Sequence, residues 1–215
     1  MEYGVIILAG GKSSRMGTNK ALIPVQGATS IRRIRDEIRK GVPGIEIAFD
    51  DMPVAPFIIV TNDPDPYQFL GERTVRDRYP GLGPLSGIHA GLESSSCDWN
   101  LVVACDMPMV TAEAARFLLE EAVASNVDAV VPFIDGQLHP LFAAYHKRCA
   151  DQIEHMLNAG QLRMHDLLNR LHVRRVTEAD FPDEVDTKRV FYNMNRPEEW
   201  QQVQVWLDID GRDSE

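Results

Sequence analysis

The chain alternates short, continuous apolar runs with longer segments in which apolar residues recur at helical spacing. Continuous runs occupy Tyr3–Leu8, residues 57–61 and residues 99–105. Such runs are typical of parallel strands that are covered on both faces. In residues 31–40, isoleucine recurs every three or four positions with arginines in between, which predicts an amphipathic helix. The pattern therefore predicts strands that are separated by helices.

The remaining elements are predicted from the same periodicities and from turn and capping residues. Further strands are predicted at residues 74–76, 129–133, 141–145 and 190–192. Further helices are predicted at residues 85–94, 112–125, 149–159, 164–171 and 197–207. Ser30 and Thr111 are predicted to cap the helices that follow them, and Gly160 to end one. Residues 41–56 contain three prolines and no clear period, which predicts a long loop.

This order of elements predicts an α/β protein, a three-layer α/β/α sandwich with a mostly parallel sheet. In open sheets of this kind, ligands bind at the carboxyl ends of the strands. A length of 215 residues favours one domain over two. We therefore expect a single domain over residues 1–215, with its ligand site where the apolar runs end.

The composition narrows the class of protein. A hydrophobic content of 44% and a charged content of 25% are ordinary for a globular protein and exclude a disordered or fibrous chain. No run of about 18 apolar residues and no basic leader with a cleavage site is recognisable, so we expect a cytoplasmic location and no membrane partner. Cys97, Cys105 and Cys149 lie far apart in the sequence, which favours buried free thiols over disulfides or a zinc site.

The charge is unevenly distributed. A net charge of −10 argues against a nucleic-acid partner, because affinity for the phosphate backbone comes largely from Lys and Arg. Residues 1–40 nevertheless contain eight Lys or Arg against three Asp or Glu. This local excess permits an anion site near the N-terminus of an acidic protein.

The segment that follows the first predicted strand has the most informative chemistry, since residues 8–20 read LAGGKSSRMGTNK. Glycines that leave backbone N–H groups accessible, together with Arg15 and Lys20, are suited to a polyphosphate. The segment is not a Walker loop, because Ile6 occupies the position of the first glycine of that motif, and it contains no G-x-G-x-x-G pattern. A polyphosphate-binding loop of another kind is predicted.

A carboxylate follows the predicted strand that reads as the most buried, where residues 104–108 are ACDMP. Asp106 is expected to face the crevice at the carboxyl edge of the sheet. A carboxylate there can hold Mg²⁺, which needs only one or two protein carboxylates when phosphate oxygens complete its coordination. The alternative for Asp106 is a purely structural cap of the turn before Pro108.

Between these two segments, residues 77–92 read DRYPGLGPLSGIHAGL. The glycines allow the backbone to approach a ligand or another helix closely. For Gly87 and Gly91, helix packing and ligand contact both stay open.

These motifs resemble those of the molybdenum cofactor guanylyltransferase family, namely L-A-G-G-x-S-x-R-M-G-x-x-K, D-x-x-x-x-x-G-P-L-x-G-x-x-x-G-L and C-D-x-P. The resemblance implies a Rossmann-like nucleotidyltransferase fold, with a nucleotide half at about residues 1–110 and an acceptor half at about residues 111–215. It also implies that the substrates are GTP and molybdopterin. GMP would be transferred to the pterin phosphate with release of pyrophosphate, and the cofactor would be Mg²⁺.

The resemblance also implies roles for individual residues. Arg15, Lys20 and Asp106 would be catalytic, with Arg15 and Lys20 on the phosphates and Asp106 on Mg²⁺. Nucleotide contacts, some through main-chain atoms, are implied for Leu8, Ala9, Gly10, Gly11, Lys20, Asn62 (or its neighbour Thr61), Asp77 and Asp106. Asp77 would accept hydrogen bonds from guanine N1–H and the exocyclic amine. Gly10 favours GTP, since relatives that use CTP tend to have alanine there.

Motifs in the second half, H-P-L, G-x-x-R and N-x-N-x-P, extend the resemblance over nearly the whole chain. They imply phosphate or pterin contacts for His139 and Arg163, and substrate or second-metal contacts for Asn193 and Asn195. A surface or capping role is the alternative for each of these four residues. Residues 27–29 read GAT where relatives commonly have G-K-P, a departure that removes a lysine near the substrate mouth.

Two other functions stay open on sequence grounds. One is a cytidylyltransferase that acts on the same pterin, and the other is a non-catalytic module that delivers the cofactor. The second would not require the metal-binding carboxylate. Molybdenum-insertion proteins and apo-molybdoenzymes are the further partners that the resemblance implies.

Overall fold

The computed structural model describes residues 3–10, 19–42 and 57–212. The strands in these ranges are β1 (Tyr3–Leu8), β2 (Pro24–Val25), β3 (Ala28–Thr29), β4 (Phe57–Val60), β5 (Arg73–Val75), β6 (Trp99–Ala104), β7 (Ala129–Ile134), β8 (Gln137–Leu138), β9 (Phe142–His146) and β10 (Val173–Val176). The α-helices are α1 (Ser30–Gly41), α2 (Pro84–Ser94), α3 (Ala112–Ala124), α4 (Cys149–Asn158), α5 (Met164–Leu168), α6 (Thr187–Val190) and α7 (Pro197–Arg212). Short 3-10 helices lie at Lys20–Leu22, Asp65–Leu70 and Glu178–Asp180.

The main sheet has the strand order β10-β7-β9-β6-β1-β4-β5, and β8 pairs with β7. Along this path every strand is parallel to the others except β9, which lies antiparallel between β6 and β7. Strands β2 and β3 form a separate hairpin. After β1 the chain adds β4 and β5 on one side and β6 on the other. The carboxyl end of β1 is therefore a topological switch point, where α/β folds bind ligands.

Each face of the central strand packs against its own layer of helices. Ile6 is buried with residues of α2, α4 and α5, whereas Ile7 is buried with residues of α1 and α3. Successive strand positions point to opposite faces of a sheet, so both sets of β1 positions must be apolar. This arrangement confirms the predicted α/β/α sandwich with a mostly parallel sheet.

Hydrogen bonds extend the alignment of the central strands beyond their carboxyl ends. The backbone N–H of Ala9 donates to the carbonyl of Val60 (3.0 Å), and that of Cys105 donates to the carbonyl of Leu8 (3.2 Å). The residues that follow β1, β4 and β6 are thereby held at one edge of the sheet.

The C-terminal helix α7 packs against the β2–β3 hairpin. Trp200 Nε1 donates to the carbonyl of Pro24 (3.0 Å), and Val203 and Leu207 are buried together with Val25. The last part of the chain therefore returns to the half that contains β1.

The strand predicted at residues 190–192 is wrong. Val190 ends α6, and it is buried with the next residue, Phe191, in the core that covers one face of the sheet. These apolar residues are buried from a helical turn and not from a strand. The strand that the prediction missed is β10, where Val173 and Val176 enclose two arginines and no apolar run or alternation marks a strand.

The residues predicted to begin or end helices are mostly confirmed. Thr111 accepts a hydrogen bond from a backbone N–H of α3, and Gly160 follows α4 with a φ of 68°. The predicted cap at Ser30 is wrong, because Thr29 occupies the N-cap position and Ser30 is the first residue of α1. The hydroxyl of Ser30 donates to the carbonyl of Cys105 (2.8 Å) instead.

A turn at Asp135 and Gly136, with positive φ values of 49° and 75°, connects β7 to β8. Strand β9 pairs with β7, with Ala129 opposite Tyr145. Residues 43–56 of the predicted loop lie outside the described residues. No helix in the described part of the chain is both long enough and apolar enough to cross a membrane.

Candidate active site

A cleft of about 320 Å³ opens at the carboxyl edge of β1, β4 and β6. Seven of the residues predicted for the site line it, namely Leu8, Ala9, Gly10, Lys20, Asn62, Asp77 and Asp106. Other lining residues are Asn19, Val60, Thr61, Gly81, Gly83, Pro84, Gly87, Ala104, Cys105 and Leu141. Residues as far apart in sequence as Leu8 and Leu141 therefore share one cavity. Gly11 and Arg15 lie outside the described residues.

A cation and a carboxylate meet in this cleft. Lys20 Nζ lies 3.5 Å from Asp106 Oδ2, and it also donates to Asn195 Oδ1 (2.5 Å). Burial raises the pKa of Asp106 above that of an exposed aspartate, and the ammonium of Lys20 opposes this shift. A buried carboxylate is costly unless a positive charge lies nearby. Lys20 supplies such a charge.

Three hydrogen bonds hold the backbone around Asp106. The N–H of Cys105 pairs with the end of β1, and the hydroxyl of Ser30 holds the carbonyl of Cys105. The N–H of Met194 donates to the carbonyl of Asp106 itself (2.7 Å). The main chain of the N-x-N-x-P motif is therefore hydrogen-bonded to the main chain of the C-D-x-P motif.

Cys105 also lines the cleft, but its thiol is expected to be unreactive. Burial raises the pKa of Cys105 to about 12, and the neighbouring Asp106 carboxylate adds to the shift. A thiol with such a pKa is neutral at physiological pH and is therefore a poor nucleophile.

Asp77 is held rigidly in the wall of the cleft. Its Oδ1 accepts from the backbone N–H of Tyr79 (2.8 Å), and its Oδ2 accepts from the hydroxyl of Ser86 (2.6 Å). Its own N–H donates to Asn62 Oδ1 (3.1 Å). Each carboxylate oxygen has more than one lone-pair site, so Asp77 retains capacity to accept from a ligand. Asn62 keeps its amide donors.

The two glycines of α2 differ in what they contact. A Cβ at Gly91 would lie 2.4 Å from Ile6 Cγ2, whereas a Cβ at Gly87 would lie 3.2 Å from Leu8 Cδ2. Close packing of α2 on β1 therefore accounts for Gly91 without a ligand. Gly87 is also packed on β1, but it borders the cleft as well.

The residues predicted to bind the acceptor are spread out. His139 is partly buried, with its ring 4.9 Å from that of Phe191, and burial lowers its pKa. Arg163 is exposed at the N-cap position of α5, and Asn193 is half-buried. His139, Arg163 and Asn193 are absent from the described residues that line the cleft. Asn195 reaches this cleft through its contact with Lys20.

Sequence reasoning missed three residues that support the cleft: Asn19, Tyr67 and Ser86. Asn19 stands inside the quoted LAGGKSSRMGTNK segment, and Ser86 stands at a variable position of the G-P-L-x-G motif, so neither was distinguished from its neighbours. Tyr67 lies in the 3-10 helix after β4. A buried tyrosine hydroxyl requires a partner, but nothing in the sequence indicates which one.

A metal would have few protein ligands here. Within the described ranges, no group of three or more His, Cys, Asp or Glu side chains could hold a metal ion. The side chain of Asp106 is 21% exposed toward the cleft. A single accessible carboxylate fits a hard cation whose other ligands are phosphate oxygens and water. It does not fit a closed structural site.

The mostly parallel sheet and the cleft at its carboxyl edge, with a lysine and carboxylates, are typical of α/β nucleotide-binding proteins. The chain belongs to the MobA-like NTP transferase domain family, whose sequence model matches residues 5–176. Members of this family generally use a divalent metal.

Individual relatives match over most of their length. A "probable molybdenum cofactor guanylyltransferase" of Bacillus cereus strain G9842 is 36% identical over 205 residues, covering 94% of this chain and 96% of the relative. A protein of the same description from Pelotomaculum thermopropionicum is 36% identical over 203 residues, covering 94% and 92%.

Solved structures share the fold of this chain. Molybdopterin-guanine dinucleotide biosynthesis protein A of Archaeoglobus fulgidus superposes with a TM-score of 0.77 at 25% identity, covering 95% of this chain and 98% of that one. A CMP:2-keto-3-deoxy-manno-octonic acid synthetase complexed with CTP shares the fold alone, with a TM-score of 0.72 at 13% identity, covering 98% and 100%.

Proposed function

We propose that this protein transfers GMP from GTP to the terminal phosphate of molybdopterin and releases pyrophosphate. The observation that carries the proposal is the 3.5 Å approach of Lys20 Nζ to Asp106 Oδ2 in a cleft that also contains Asn62 and Asp77. One end of the cleft thus has the charges that a triphosphate requires, and its wall has acceptors suited to guanine. The guanylyltransferase relatives support the same assignment.

The base of GTP is assigned to the wall formed by Asp77 and Asn62. Guanine presents N1–H and an exocyclic amine as adjacent donors, and a carboxylate can accept from both. Cytosine lacks this pair of donors, so a fixed Asp77 would discriminate against it. Leu8, Ala9 and Gly10 line the same cleft, where their main-chain atoms would contact the base and ribose.

The triphosphate is assigned to Lys20 and Asp106, together with Arg15 and Gly11 of the glycine-rich segment. The accessible carboxylate of Asp106 fits Mg²⁺. Such an ion would neutralise charge on the α-phosphate while the new bond forms. Lys20 contributes a second positive charge and fixes the orientation of the phosphates.

The reaction is an in-line displacement. An oxygen of the pterin phosphate attacks the α-phosphorus of GTP, a P–O bond forms, and the bond to the bridging oxygen of the leaving pyrophosphate breaks. No protein side chain becomes covalently attached. Positioning and neutralisation of two approaching anions account for the catalysis.

The acceptor is assigned to His139, Arg163 and Asn193, with Asn195 at the boundary between acceptor and nucleotide. Asn195 is the member of this set whose contact with Lys20 is seen directly. This assignment keeps the division into a nucleotide half, about residues 1–110, and an acceptor half, about residues 111–215, within one domain. Molybdenum-insertion proteins and apo-molybdoenzymes would supply the acceptor or receive the product.

The experiment is an incubation of purified protein with molybdopterin, Mg²⁺ and either GTP or CTP. The proposal predicts molybdopterin guanine dinucleotide and an equal amount of pyrophosphate with GTP, and far less product with CTP. A preference for CTP would make the protein a cytidylyltransferase. Binding of molybdopterin without pyrophosphate release from either nucleotide would indicate a delivery module.

A further inference from the structure

The hydroxyl of Tyr67 connects the two segments that flank the glycine-rich loop in sequence. Tyr67 is 1% exposed in the 3-10 helix Asp65–Leu70. Its hydroxyl donates to the carbonyl of Ala9 (3.0 Å) and accepts from Asn19 Nδ2 (2.8 Å). Ala9 directly follows β1, and Asn19 directly precedes Lys20.

Asn19 carries the connection to Lys20. Its Oδ1 accepts from the backbone N–H of Ala21 (3.1 Å), and its carbonyl accepts from the N–H of Leu22 (3.0 Å). These bonds start the 3-10 helix Lys20–Leu22, in which Lys20 is the first residue. The orientation of the Asn19 amide therefore decides how this helix begins.

The single proton of the Tyr67 hydroxyl determines which partner donates in each of its two hydrogen bonds. A tyrosine hydroxyl has one proton, which is directed to the carbonyl of Ala9, so the oxygen can only accept from Asn19. The Asn19 amide must then present Nδ2 to Tyr67 and Oδ1 to Ala21. Burial raises the pKa of Tyr67, and the hydroxyl stays protonated at neutral pH.

A phenylalanine ring would fill the same apolar space but would leave the buried carbonyl of Ala9 and the side-chain amide of Asn19 without this partner. An unsatisfied buried carbonyl is strongly disfavoured, so the Ala9 segment would move to find another partner, and Asn19 would lose the contact that links it to Ala9. We propose that Tyr67 is a positioning residue for the nucleotide, because its hydroxyl sets the relative placement of the Ala9 main chain and the Lys20 helix. This inference rests on the proposed function, in which Ala9 contacts the nucleoside and Lys20 the phosphates.

The test compares Tyr67→Phe with Tyr145→Phe. Tyr145 is also fully buried, and its hydroxyl also donates to a backbone carbonyl, that of Pro140 (2.9 Å). Both substitutions remove one hydroxyl and one such bond. For Tyr67→Phe we expect kcat/KM for GTP to fall about tenfold, with a higher KM for GTP and an unchanged KM for molybdopterin. For Tyr145→Phe, the KM for GTP should equal that of the wild type.

A purely structural role would lower the melting temperature and the active fraction of both variants and leave the KM for GTP unchanged in both. That result would overturn the inference. Should Tyr67→Phe fail to fold, Asn19→Ala tests the same connection from an exposed residue. It should raise the KM for GTP to a similar extent, and an unchanged KM would refute the inference.

The dissociation constant of GTP, measured by calorimetry, separates this inference from the proposed function. If the wild type binds GTP but transfers no GMP, the proposed function fails, and the ratio of dissociation constants between Tyr67→Phe and the wild type still decides the role of Tyr67. A ratio near tenfold supports it, and a ratio of one excludes it. No binding of GTP by the wild type would exclude both.

Discussion

The proposed nucleotide side and the proposed acceptor side of the site differ in how the fold brings their residues together. On the nucleotide side, Ala9, Asn62 and Asp106 each lie at or just beyond the end of a central strand, so parallel pairing alone places them in one cleft. On the acceptor side, His139 and Arg163 lie in connections near an antiparallel strand and a short helix. Sheet pairing therefore places the first set of residues together, whereas the second depends on loop conformations.

The largest effect is expected from a substitution of Asp106 on the proposed nucleotide side. Asp106→Asn keeps the size of the side chain and removes the charge that would hold the metal, so kcat should fall by about three orders of magnitude. The melting temperature should change little. Asp183→Asn, which makes the same change at an exposed aspartate, is the matched control. Its kcat should equal that of the wild type. Turnover of Asp106→Asn near that of the control would remove Asp106 from the mechanism.

The second effect concerns the cation opposite Asp106. Lys20→Ala removes an ammonium assigned to the phosphates, and kcat/KM for GTP should fall about a hundredfold. Steady-state kinetics at saturating molybdopterin measures this loss, with Lys188→Ala on α6 as the control for loss of a lysine. Equal kinetic constants for Lys20→Ala and the control would mean that Lys20 serves only to neutralise Asp106 in the ligand-free protein.

The third experiment tests the boundary between the two sides. Asn195 belongs to the acceptor motif by resemblance, but its side chain accepts from Lys20. Asn195→Ala should therefore lower kcat/KM for GTP about tenfold, and it should add little to the loss in a Lys20→Ala background. A rise confined to the KM for molybdopterin, additive with Lys20→Ala, would place Asn195 on the acceptor side alone.

A smaller effect is expected at Gly10. An added Cβ would lie 3.9 Å from the carbonyl of Val60, an ordinary contact, so Gly10→Ala should fold normally. A change in kcat/KM for GTP or CTP would then arise from a contact with the nucleotide and not from a disturbed fold. We expect the ratio of kcat/KM for GTP to that for CTP to fall about three- to tenfold. An unchanged ratio would show that base choice depends on Asp77 and Asn62 without Gly10.

The smallest effect is a pH dependence of stability on the acceptor side. Burial lowers the pKa of His139 below its ordinary 6.5, so the folded protein favours the neutral ring. The contribution of the neutral His139 ring to the free energy of unfolding is fully present above pH 6.5. It is lost as the pH falls from 6.5 through the lowered pKa of the folded state, because the unfolded chain binds the proton more readily. Between about pH 7 and pH 5.5, the melting temperature of His139→Gln should fall less than that of the wild type. Equal losses would show that His139 titrates normally.

Much of the nucleotide side could be predicted because its residues stand next to strong apolar runs. The ends of Tyr3–Leu8 and Trp99–Ala104 are visible in the sequence, and parallel pairing makes Leu8 and Ala104 neighbours. Ser30 was misjudged because a serine before a helix usually caps it, whereas here its hydroxyl satisfies the carbonyl of Cys105 from a distant part of the chain.

The parts that the sequence did not predict depend on partners that are distant in the chain or on weak local patterns. The hydroxyl of Tyr67 bonds to residues 48 and 58 positions away, and no local pattern records such contacts. β10 lacks an apolar run because, among the described strands, it lies at the edge of the sheet and pairs only with β7. The docking of Met194 on Asp106 likewise arises from tertiary packing of the C-terminal segment.

The most direct test of the central claim is a crystal structure with Mg²⁺ and a GTP analogue that carries a methylene group between the α- and β-phosphates. The account predicts guanine against Asp77 and Asn62, the α-phosphate at a metal bound by Asp106, and Lys20 in contact with the triphosphate. An analogue bound outside this cleft, or one whose triphosphate lies away from Lys20 and Asp106, would contradict it.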